Sequence, residues 1–325
     1  FSGDSPLFSY SEENCRAVLE KQSHPDISGV FLSKPHEISP GESQEISLVG
    51  LLRFFDNPAK YLLENKMGMR MEKLVEPLQE REPFSCEGLE YYLLKQELLD
   101  RCLRGLDAPG YLGAARSRGE IPPARHGEIV FDKAGREIQK LAQKILDWQS
   151  GRAALADLDV ELKIGNWTLT GRLGGIWPDR MLRYRPAKVK AKDRLHAWIE
   201  HLVLSVSGRQ NDPRQTLLLM QDGAFVYSEV ENAQTYLQIL LALYEQGLAQ
   251  PLVFFPESSL EYARTKDAGK ARQVWAGNSF QQIPGEGDDA SIRLCFGRKE
   301  PFSEEFARTA GVVYDALLRH EGKLS

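Results

Sequence analysis

Hydrophobic residues recur along this chain with two different periods, and those periods predict its secondary structure. An apolar spacing of three and four residues is typical of helices, whereas alternation or a short apolar run is typical of strands. The helical spacing predicts helices at 88–104, 135–149, 192–206, 233–245, 259–275 and 304–320. Strand-like runs cover 160–164, 167–173, 181–185, 215–220, 225–227, 252–255 and 292–296. A group of strands placed between helices predicts an α/β fold built as a three-layer sandwich.

Polar, proline and glycine residues between these segments predict where several elements begin and end. Ser47 can cap a helix with an apolar face, and Pro58 suits the first turn of the helix after it. Gly165-Asn166 predicts a tight hairpin between two strands. Gly151 and Gly247 stand where two helices are expected to stop.

The first 45 residues differ in character from the rest of the chain. They are rich in Ser, Pro, Gly and Glu, and they contain one short predicted helix near Glu13 to Lys21. Nearly all of the periodic segments follow later. We therefore expect a loop-rich lead-in at 1–45, belonging to a preceding domain, and one folded domain at 46–325. Because the chain starts at Phe1 rather than Met, we interpret it as part of a longer protein.

The composition of the chain is that of an ordinary globular protein. Of its 325 residues, 42% are hydrophobic and 27% are charged. Its net charge of -5 provides no global attraction for nucleic acid, so any DNA contact must come from a local patch. Four cysteines without a CxxC pair predict buried, reduced thiols and a cytoplasmic protein. They are Cys15, Cys86, Cys102 and Cys295. With no apolar run of about 18 residues, we expect no membrane contact.

The central segment from Leu169 to Leu202 resembles the active-site region of the PD-(D/E)xK nucleases found in helicase–nuclease complexes. In those enzymes one strand ends in Gly-x-(Ile/Leu)-Asp, the next supplies Asp-Tyr-Lys, and a helix follows. Here Gly174 stands at the first Asp, and Arg183-Tyr184-Arg185 replaces the triplet. A predicted helix begins near Lys192, as in the family. The resemblance implies a PD-(D/E)xK nuclease-like sandwich in which helices flank a central mixed sheet.

The chemistry of that active site requires acids that are missing here. A Mg²⁺-dependent nuclease holds its ion with oxygen ligands, and glycine at position 174 offers none. Arg183 places a positive charge where a dication would bind. We therefore predict a catalytically inactive domain that holds no metal and no other cofactor, with vestigial positions at Gly174, Arg183 and Arg185. The alternative is an active nuclease of the AddB or Cas4 type whose displaced ligands are Asp179 and Glu161.

Four further segments resemble the C-terminal region of the RecC family, the gamma subunit of the RecBCD helicase–nuclease (exodeoxyribonuclease V). They are SPLFSYSEEN, ISLVGLLRFFDNPAKYLL, AWIEHL and PLVFFPESSLEYA. The resemblance implies that RecB-type and RecD-type subunits are partners, together with DNA as a duplex end or as single strands. It also implies a non-catalytic role in subunit assembly and in the separation and channelling of DNA strands during double-strand-break repair.

A basic stretch from Arg180 to Arg194 contains only one acid, Asp193. It can contact DNA phosphates, bind an acidic face of a partner subunit or form a solvated rim. Its candidate residues are Arg180, Arg183, Arg185, Lys188, Lys190, Lys192 and Arg194. On the helix that follows, His196 and Glu200 are one turn apart, and we expect them to pair with each other on the surface.

Overall fold

The computed structural model describes residues 15–16, 18–19, 44–69, 86–209, 211–278, 280, 283–297 and 300–324. Most of the predicted lead-in at 1–45, with most of its short helix near Glu13 to Lys21, therefore lies outside the described residues. The strands are β1 (Gln44–Ser47), β2 (Leu158–Ile164), β3 (Trp167–Leu173), β4 (Met181–Arg185), β5 (Thr216–Met220), β6 (Ala224–Tyr227), β7 (Gly277–Asn278), β8 (Ile283–Pro284) and β9 (Glu321–Leu324).

Eleven α-helices lie within the described ranges. They are α1 (Leu48–Asp56), α2 (Pro58–Tyr61), α3 (Gly88–Leu103), α4 (Leu112–Ser117), α5 (Ala124–Gln149), α6 (Ala191–Ser207), α7 (Ala233–Ala249), α8 (Pro256–Thr265), α9 (Ala268–Ala276), α10 (Ala290–Phe296) and α11 (Glu304–His320). A π-helical turn, Leu62–Lys66, extends α2. None of the described helices is long and apolar enough to cross a membrane.

The strands form two mixed sheets and one short ribbon, β7–β8, rather than the single central sheet that was predicted. In the first sheet β3 is central, parallel to β1 and antiparallel to β2. In the second, β4 and β5 are parallel, and β6 and β9 add antiparallel strands. The two sheets meet after β3, where Ile176 bridges to Met181 and the Leu182 amide donates to the Gly175 carbonyl over 2.8 Å. The α/β class and the helix-flanked mixed sheets are confirmed.

The second sheet is covered by helices on both faces. All five residues of β5 are buried, and its side chains alternate between two hydrophobic clusters. Leu217 and Leu219 pack with α3 and α5 on one face, whereas Leu218 and Met220 pack with α6 and α7 on the other. A strand buried on both faces is the middle layer of a helix–sheet–helix arrangement. This arrangement confirms the predicted layering around β5.

Several predicted boundaries are confirmed by local hydrogen bonds. The Ser47 side chain accepts from the Gly50 amide over 3.0 Å at the start of α1. Pro58 occupies the first turn of α2, and Asn57 caps that helix by accepting from the Lys60 amide. The register places Ile164 opposite Trp167, so that a two-residue hairpin joins β2 to β3. Gly151 follows α5 with a positive φ of 71°.

Two predicted strands are wrong, because stronger local signals decide their conformation. Residues 252–255 are irregular, although Phe254 and Phe255 are buried, because Pro256 starts α8 directly after them. Residues 292–296 belong to α10, because the Asp289 side chain accepts from the amides of Ser291 and Ile292. An aspartate that caps two amides fixes a helix start more strongly than a short apolar run favours a strand.

Three predicted helices have different limits from those expected. The single helix at 259–275 is two, since Lys266 takes a left-handed φ of 53° and Asp267 caps α9. Helix α5 begins at Ala124 rather than near residue 135. Gly247 does not stop α7, which continues to Ala249. A Cβ at that glycine would lie 2.3 Å from Phe54 Cζ, so the glycine allows α1 and α7 to pack closely.

The cysteines are unpaired, as predicted, but they are not all buried. Cys86 and Cys295 are buried, Cys102 is partly buried and Cys15 is exposed. Burial raises the pKa of Cys295 to about 12, so its thiol is protonated and inert at neutral pH. Nothing in these environments indicates a functional thiol.

Candidate functional site

Gly174 lies just after β3, at the junction of the two sheets. A Cβ at this position would lie 2.9 Å from Asp157 Oδ1, so a carboxylate there would meet a second carboxylate at close range. Gly175 takes a positive φ of 64°, which turns the backbone towards the start of β4. The turn leaves the Gly174 carbonyl free to accept a hydrogen bond from Arg183.

The Arg183 side chain reaches from β4 to helix α6. Its Nε donates to Glu200 Oε2 over 2.6 Å, and its Nη2 donates to Glu200 Oε1 over 3.2 Å. Its Nη1 donates to the carbonyls of Gly174 at 2.8 Å and Leu182 at 3.1 Å. The two charged side chains are only 21% and 17% exposed. Every nitrogen of this guanidinium therefore has an internal partner, in the forked geometry that arginine favours with carboxylates.

Arg185, at the end of β4, makes a second ion pair with the start of α6. Its Nη2 donates to Asp193 Oδ2 over 2.7 Å. That carboxylate oxygen also accepts from the Lys190 amide, so the same acid caps the helix. The Arg185 guanidinium lies 5.8 Å from the centre of the Tyr92 ring. Its buried Nε has no hydrogen-bond partner among the described residues, so this pair is satisfied less completely than the pair at Arg183.

Arg194 is the most deeply placed cation of the basic stretch, with 7% of its surface exposed. It forms a forked pair with Glu321 at the start of β9, and Tyr227 donates to the same carboxylate over 3.0 Å. Burial lowers the pKa of Arg194, but the hydrogen bond and charge of Glu321 outweigh that effect, and the pKa is raised. A side chain held in this way has no access to DNA.

Arg180 and the three lysines complete the basic stretch. Arg180 stacks over the Trp148 ring at 3.9 Å and donates to Asp179 over 3.2 Å. Lys188 and Lys190 are exposed and Lys192 is partly exposed, and none of them forms an ion pair with a described residue. The structure thus divides the seven predicted residues into four arginines with internal partners and three lysines on the surface.

His196 and Glu200 do not pair with each other, contrary to the prediction. Glu200 is held by Arg183, and His196 Nε2 lies 2.9 Å from Asp56 Oδ1 on α1. One turn separates the two side chains on α6, but each lies closer to a side chain on another element. Tertiary contacts therefore override the local helical pairing.

His201 on the same helix is fully buried. Its Nδ1 lies 2.8 Å from Thr216 Oγ1, and its Nε2 lies 2.9 Å from the Ser228 carbonyl. Burial lowers its pKa to about 4, so the ring is neutral at physiological pH. It connects α6 to β5 and to the segment after β6, which is a structural role.

The two acids of the alternative metal site lie in different surroundings. The Asp179 carboxylate contacts Arg180 at 3.2 Å and Arg152 at 3.8 Å, and Glu161 is exposed on β2. Across the described ranges, no three side chains of the His, Cys, Asp and Glu types come together as a possible ion site. No observation favours displaced metal ligands over the ion pairs described above.

The sequence alone did not identify which acids pair with the arginines. Glu321 is 127 residues away from Arg194, and Glu200 was assigned to His196. Asp193 had a detectable signal, since an acid in the first turn of a predicted helix is a common cap. The sequence therefore overestimates the free positive charge of this stretch, because several of its arginines are paired with acids in the folded chain.

The amino-acid sequence of this chain matches a known protein family. The model of the RecC C-terminal domain matches residues 43–267. The RecBCD enzyme subunit RecC of Escherichia coli K12 is 28% identical over 281 residues, which cover 81% of this chain and 24% of that protein. The same-named protein of Buchnera aphidicola from Acyrthosiphon pisum is 21% identical over 88% of this chain and 28% of its own length. The RecBCD enzyme subunit RecC of Mycobacterium tuberculosis H37Rv is 24% identical over 79% of this chain and 24% of its own length. The chain thus spans about a quarter of the length of these relatives.

Proposed function

The chain belongs to the family of RecC C-terminal domains, and on that premise we propose that it is a non-catalytic domain of a RecC-type subunit. It contributes to the assembly of that subunit with RecB-type and RecD-type partners. It also helps to separate and channel DNA strands in an ATP-dependent helicase–nuclease complex that repairs double-strand breaks. The relatives are named as subunits of the RecBCD enzyme, which supports a role inside such a complex.

The observation that carries the non-catalytic part of the proposal is the Arg183–Glu200 pair. In the PD-(D/E)xK arrangement that the sequence resembles, the ends of β3 and β4 would present carboxylates to a divalent ion. Here the guanidinium of Arg183 occupies that junction and binds both Glu200 oxygens and the Gly174 carbonyl. A cation at this place repels a second cation and uses the oxygens that an ion would need.

A nuclease assay tests this part of the proposal. The purified chain is incubated with linear duplex DNA and Mg²⁺, and we expect no cleavage. Gly174→Asp alone should also be inactive, because a metal site needs its ligands together and Arg183 would remain in place. Cleavage by the unaltered chain that is abolished both by a chelator and by Asp179→Ala would overturn the proposal in favour of displaced ligands.

The surface lysines support the part of the proposal that concerns DNA and subunits. Lys188 and Lys190 follow β4 in the loop directly before α6, and Lys192 lies in the first turn of that helix. None of them forms an ion pair with a described residue, although the Glu257 carboxylate attracts Lys190 and Lys192 electrostatically. Binding a phosphate or an acidic side chain would therefore break no ion pair. Contacts of this kind strengthen binding without reading the base sequence.

A charge-reversal experiment on the assembled complex tests this second part. Lys188→Glu, Lys190→Glu and Lys192→Glu are combined, and co-purification with the RecB-type and RecD-type subunits is measured beside binding of forked DNA. The matched control reverses three exposed lysines elsewhere, Lys163, Lys270 and Lys323. Weaker DNA binding or weaker co-purification, seen only in the first variant, is the expected result. If both variants bind DNA and co-purify equally well, the lysines of the first variant are only solvent-exposed surface residues.

A further inference from the structure

A groove of about 850 Å³ runs along the outer side of α5, next to the turn between β5 and β6. Arg136, Lys140 and Lys144 line it at a spacing of four residues, which places them on one face of the helix. Eight residues of helix span about 12 Å, so the three charges form a row along the groove. All three side chains belong to exposed residues.

These three cations have no ion pair with any residue that the structure describes, unlike the four arginines of the basic stretch. The one acid that lines the groove is Glu137. Its carboxylate lies 3.6 Å from Lys95 Nζ and accepts from Gln221 Nε2 over 2.8 Å, so its charge is matched by an inner lysine. The row of charges on α5 is therefore positive in excess.

Neutral amides and two apolar side chains, Leu141 and Met220, line the groove between the cations. Gln139 and Gln143 place two amides along the groove. Gln143 donates to Asp147 over 2.7 Å, which puts one exposed acid at the C-terminal end of the row. Among the groove's lining residues there is no aromatic side chain. Protein partners are commonly anchored by aromatic or large apolar side chains. Leu141 and Met220 are each only 4% exposed, so they offer little apolar surface to such an anchor.

The groove is continuous with the loop after β4, which contains Lys188 and Lys190. The Gln221 amide donates to the Ala187 carbonyl over 3.0 Å, and the Asp222 side chain accepts from the Val189 amide over 2.8 Å. The turn after β5 thus forms part of the groove and also holds the loop on both sides of Lys188. This turn therefore lies beside both the α5 groove and the loop that contains Lys188 and Lys190.

We propose that the α5 groove binds the phosphate backbone of duplex DNA without base specificity. A row of lysine and arginine side chains with neutral amides between them suits phosphate oxygens. Single-stranded DNA is usually held by stacking of bases on aromatic rings, and the groove lining offers none, which favours the duplex. The inference rests on the part of the proposed function in which the chain contacts DNA. It adds a second contact surface, on α5.

Salt dependence measures this contact directly. Each phosphate contact to duplex DNA contributes about 0.9 to the slope of log K against log salt, so three contacts contribute roughly 2.7. The assembled complex, carrying Arg136→Gln, Lys140→Gln and Lys144→Gln, should therefore bind a 30-base-pair duplex of mixed sequence with a slope lower by about 2 to 3. Fluorescence anisotropy between 50 and 200 mM salt gives the slope, and thermal unfolding of the variant checks that it is folded.

Two matched variants separate charge from shape. Arg136→Lys with Lys140→Arg and Lys144→Arg keeps all three charges and should keep the slope. Gln substitutions at Lys163, Lys270 and Lys323 remove three exposed charges elsewhere and should also leave the slope unchanged. An unchanged slope in the α5 variant would overturn the inference, and so would a larger effect on an oligothymidine than on the duplex.

The same measurements distinguish this inference from the proposed function. If the α5 variant binds DNA normally and the Lys188, Lys190 and Lys192 variant does not, the α5 groove is not a DNA site and the proposed function stands. If the α5 variant loses its partner subunits while DNA binding is retained, the groove binds an acidic protein face instead and the inference fails. If neither variant changes DNA binding or assembly, this inference and the proposed contacts of the surface lysines both fail.

Discussion

The arginines and the lysines of the basic stretch carry the same charge but lie in different environments. Arg183, Arg185 and Arg194 point into the fold and each meets a carboxylate from another element. Lys188 and Lys190 lie on the loop between those elements and remain exposed. The guanidinium group is weakly hydrated and forked, whereas the ammonium group is strongly hydrated, so arginine is favoured at the buried positions. One run of positive charge therefore provides both internal ion pairs and cations that are available for binding on the surface.

The largest effect should come from the pair that is buried most deeply. Arg194→Met leaves Glu321 charged in the interior, and breaking a buried pair in this way costs about 3 to 5 kcal/mol. Arg194→Met combined with Glu321→Met should recover most of that loss, because no lone charge remains. Urea unfolding of the purified chain measures both variants, with Lys188→Met as the exposed control. A loss below about 1 kcal/mol for Arg194→Met would contradict the assignment.

A pH-dependent loss of stability should follow from His201 on the same helix. Its pKa is about 4 in the folded chain, against about 6.5 when unfolded, so the unfolded state binds the proton more readily. Its contribution is fully present above pH 6.5 and is lost as the pH falls towards 4. The total is of the order of 3 kcal/mol. Denaturant unfolding at pH 7 and at pH 4.5 should show that His201→Gln weakens this dependence and that the exposed His126→Gln does not.

A smaller effect is expected at the Arg183–Glu200 pair, which is partly exposed. Arg183→Gln and Glu200→Gln should each destabilise the chain by about 1 to 2 kcal/mol, since solvent screens the remaining charge. The double variant should cost less than the sum, because the two side chains act as one unit. Additive losses in a double-mutant cycle would show that the forked pair contributes no coupling. Magnesium should leave the unfolding midpoint unchanged in all four proteins.

The smallest effect on stability is expected at the lysines. Combining Lys188→Gln, Lys190→Gln and Lys192→Gln should change the free energy of unfolding by at most about 0.5 kcal/mol for each residue. The same variant should reduce the salt dependence of DNA binding by the assembled complex, by about 0.9 in slope for each lost phosphate contact. A stability loss for each lysine as large as that of Arg183→Gln would show that the internal and external cations do not differ.

Local features of the sequence predicted much of the fold. The cap at Ser47, the proline at the start of α2 and the hairpin at Gly165 depend on residues within four positions of each other. Strands β3 and β4 were also placed correctly from their apolar patterns alone. These elements could be predicted because their conformation is decided by short-range hydrogen bonds and by periodicity.

Long-range pairing accounts for most of what the sequence could not reveal. One predicted strand, 292–296, was wrong for a local reason instead: its apolar run was short, and the Asp289 cap was overlooked. The partner of Arg194 and the meeting of α5 with the loop at Lys188 depend on segments that are far apart along the chain. A charge run therefore indicated where cations are, but the folded chain decided which of them are available for binding.

The pairing of Arg194 with Glu321 has a consequence for the order of events during protein synthesis. Strand β9 lies at the edge of the second sheet, and its first residue completes the buried charge pair with a partner 127 residues earlier. At about 5 to 20 residues per second, the ribosome needs on the order of ten seconds to make the intervening segment. Throughout that interval Arg194 lacks its carboxylate, so the packed interior around α6 can be completed only after residue 321 has left the ribosomal tunnel.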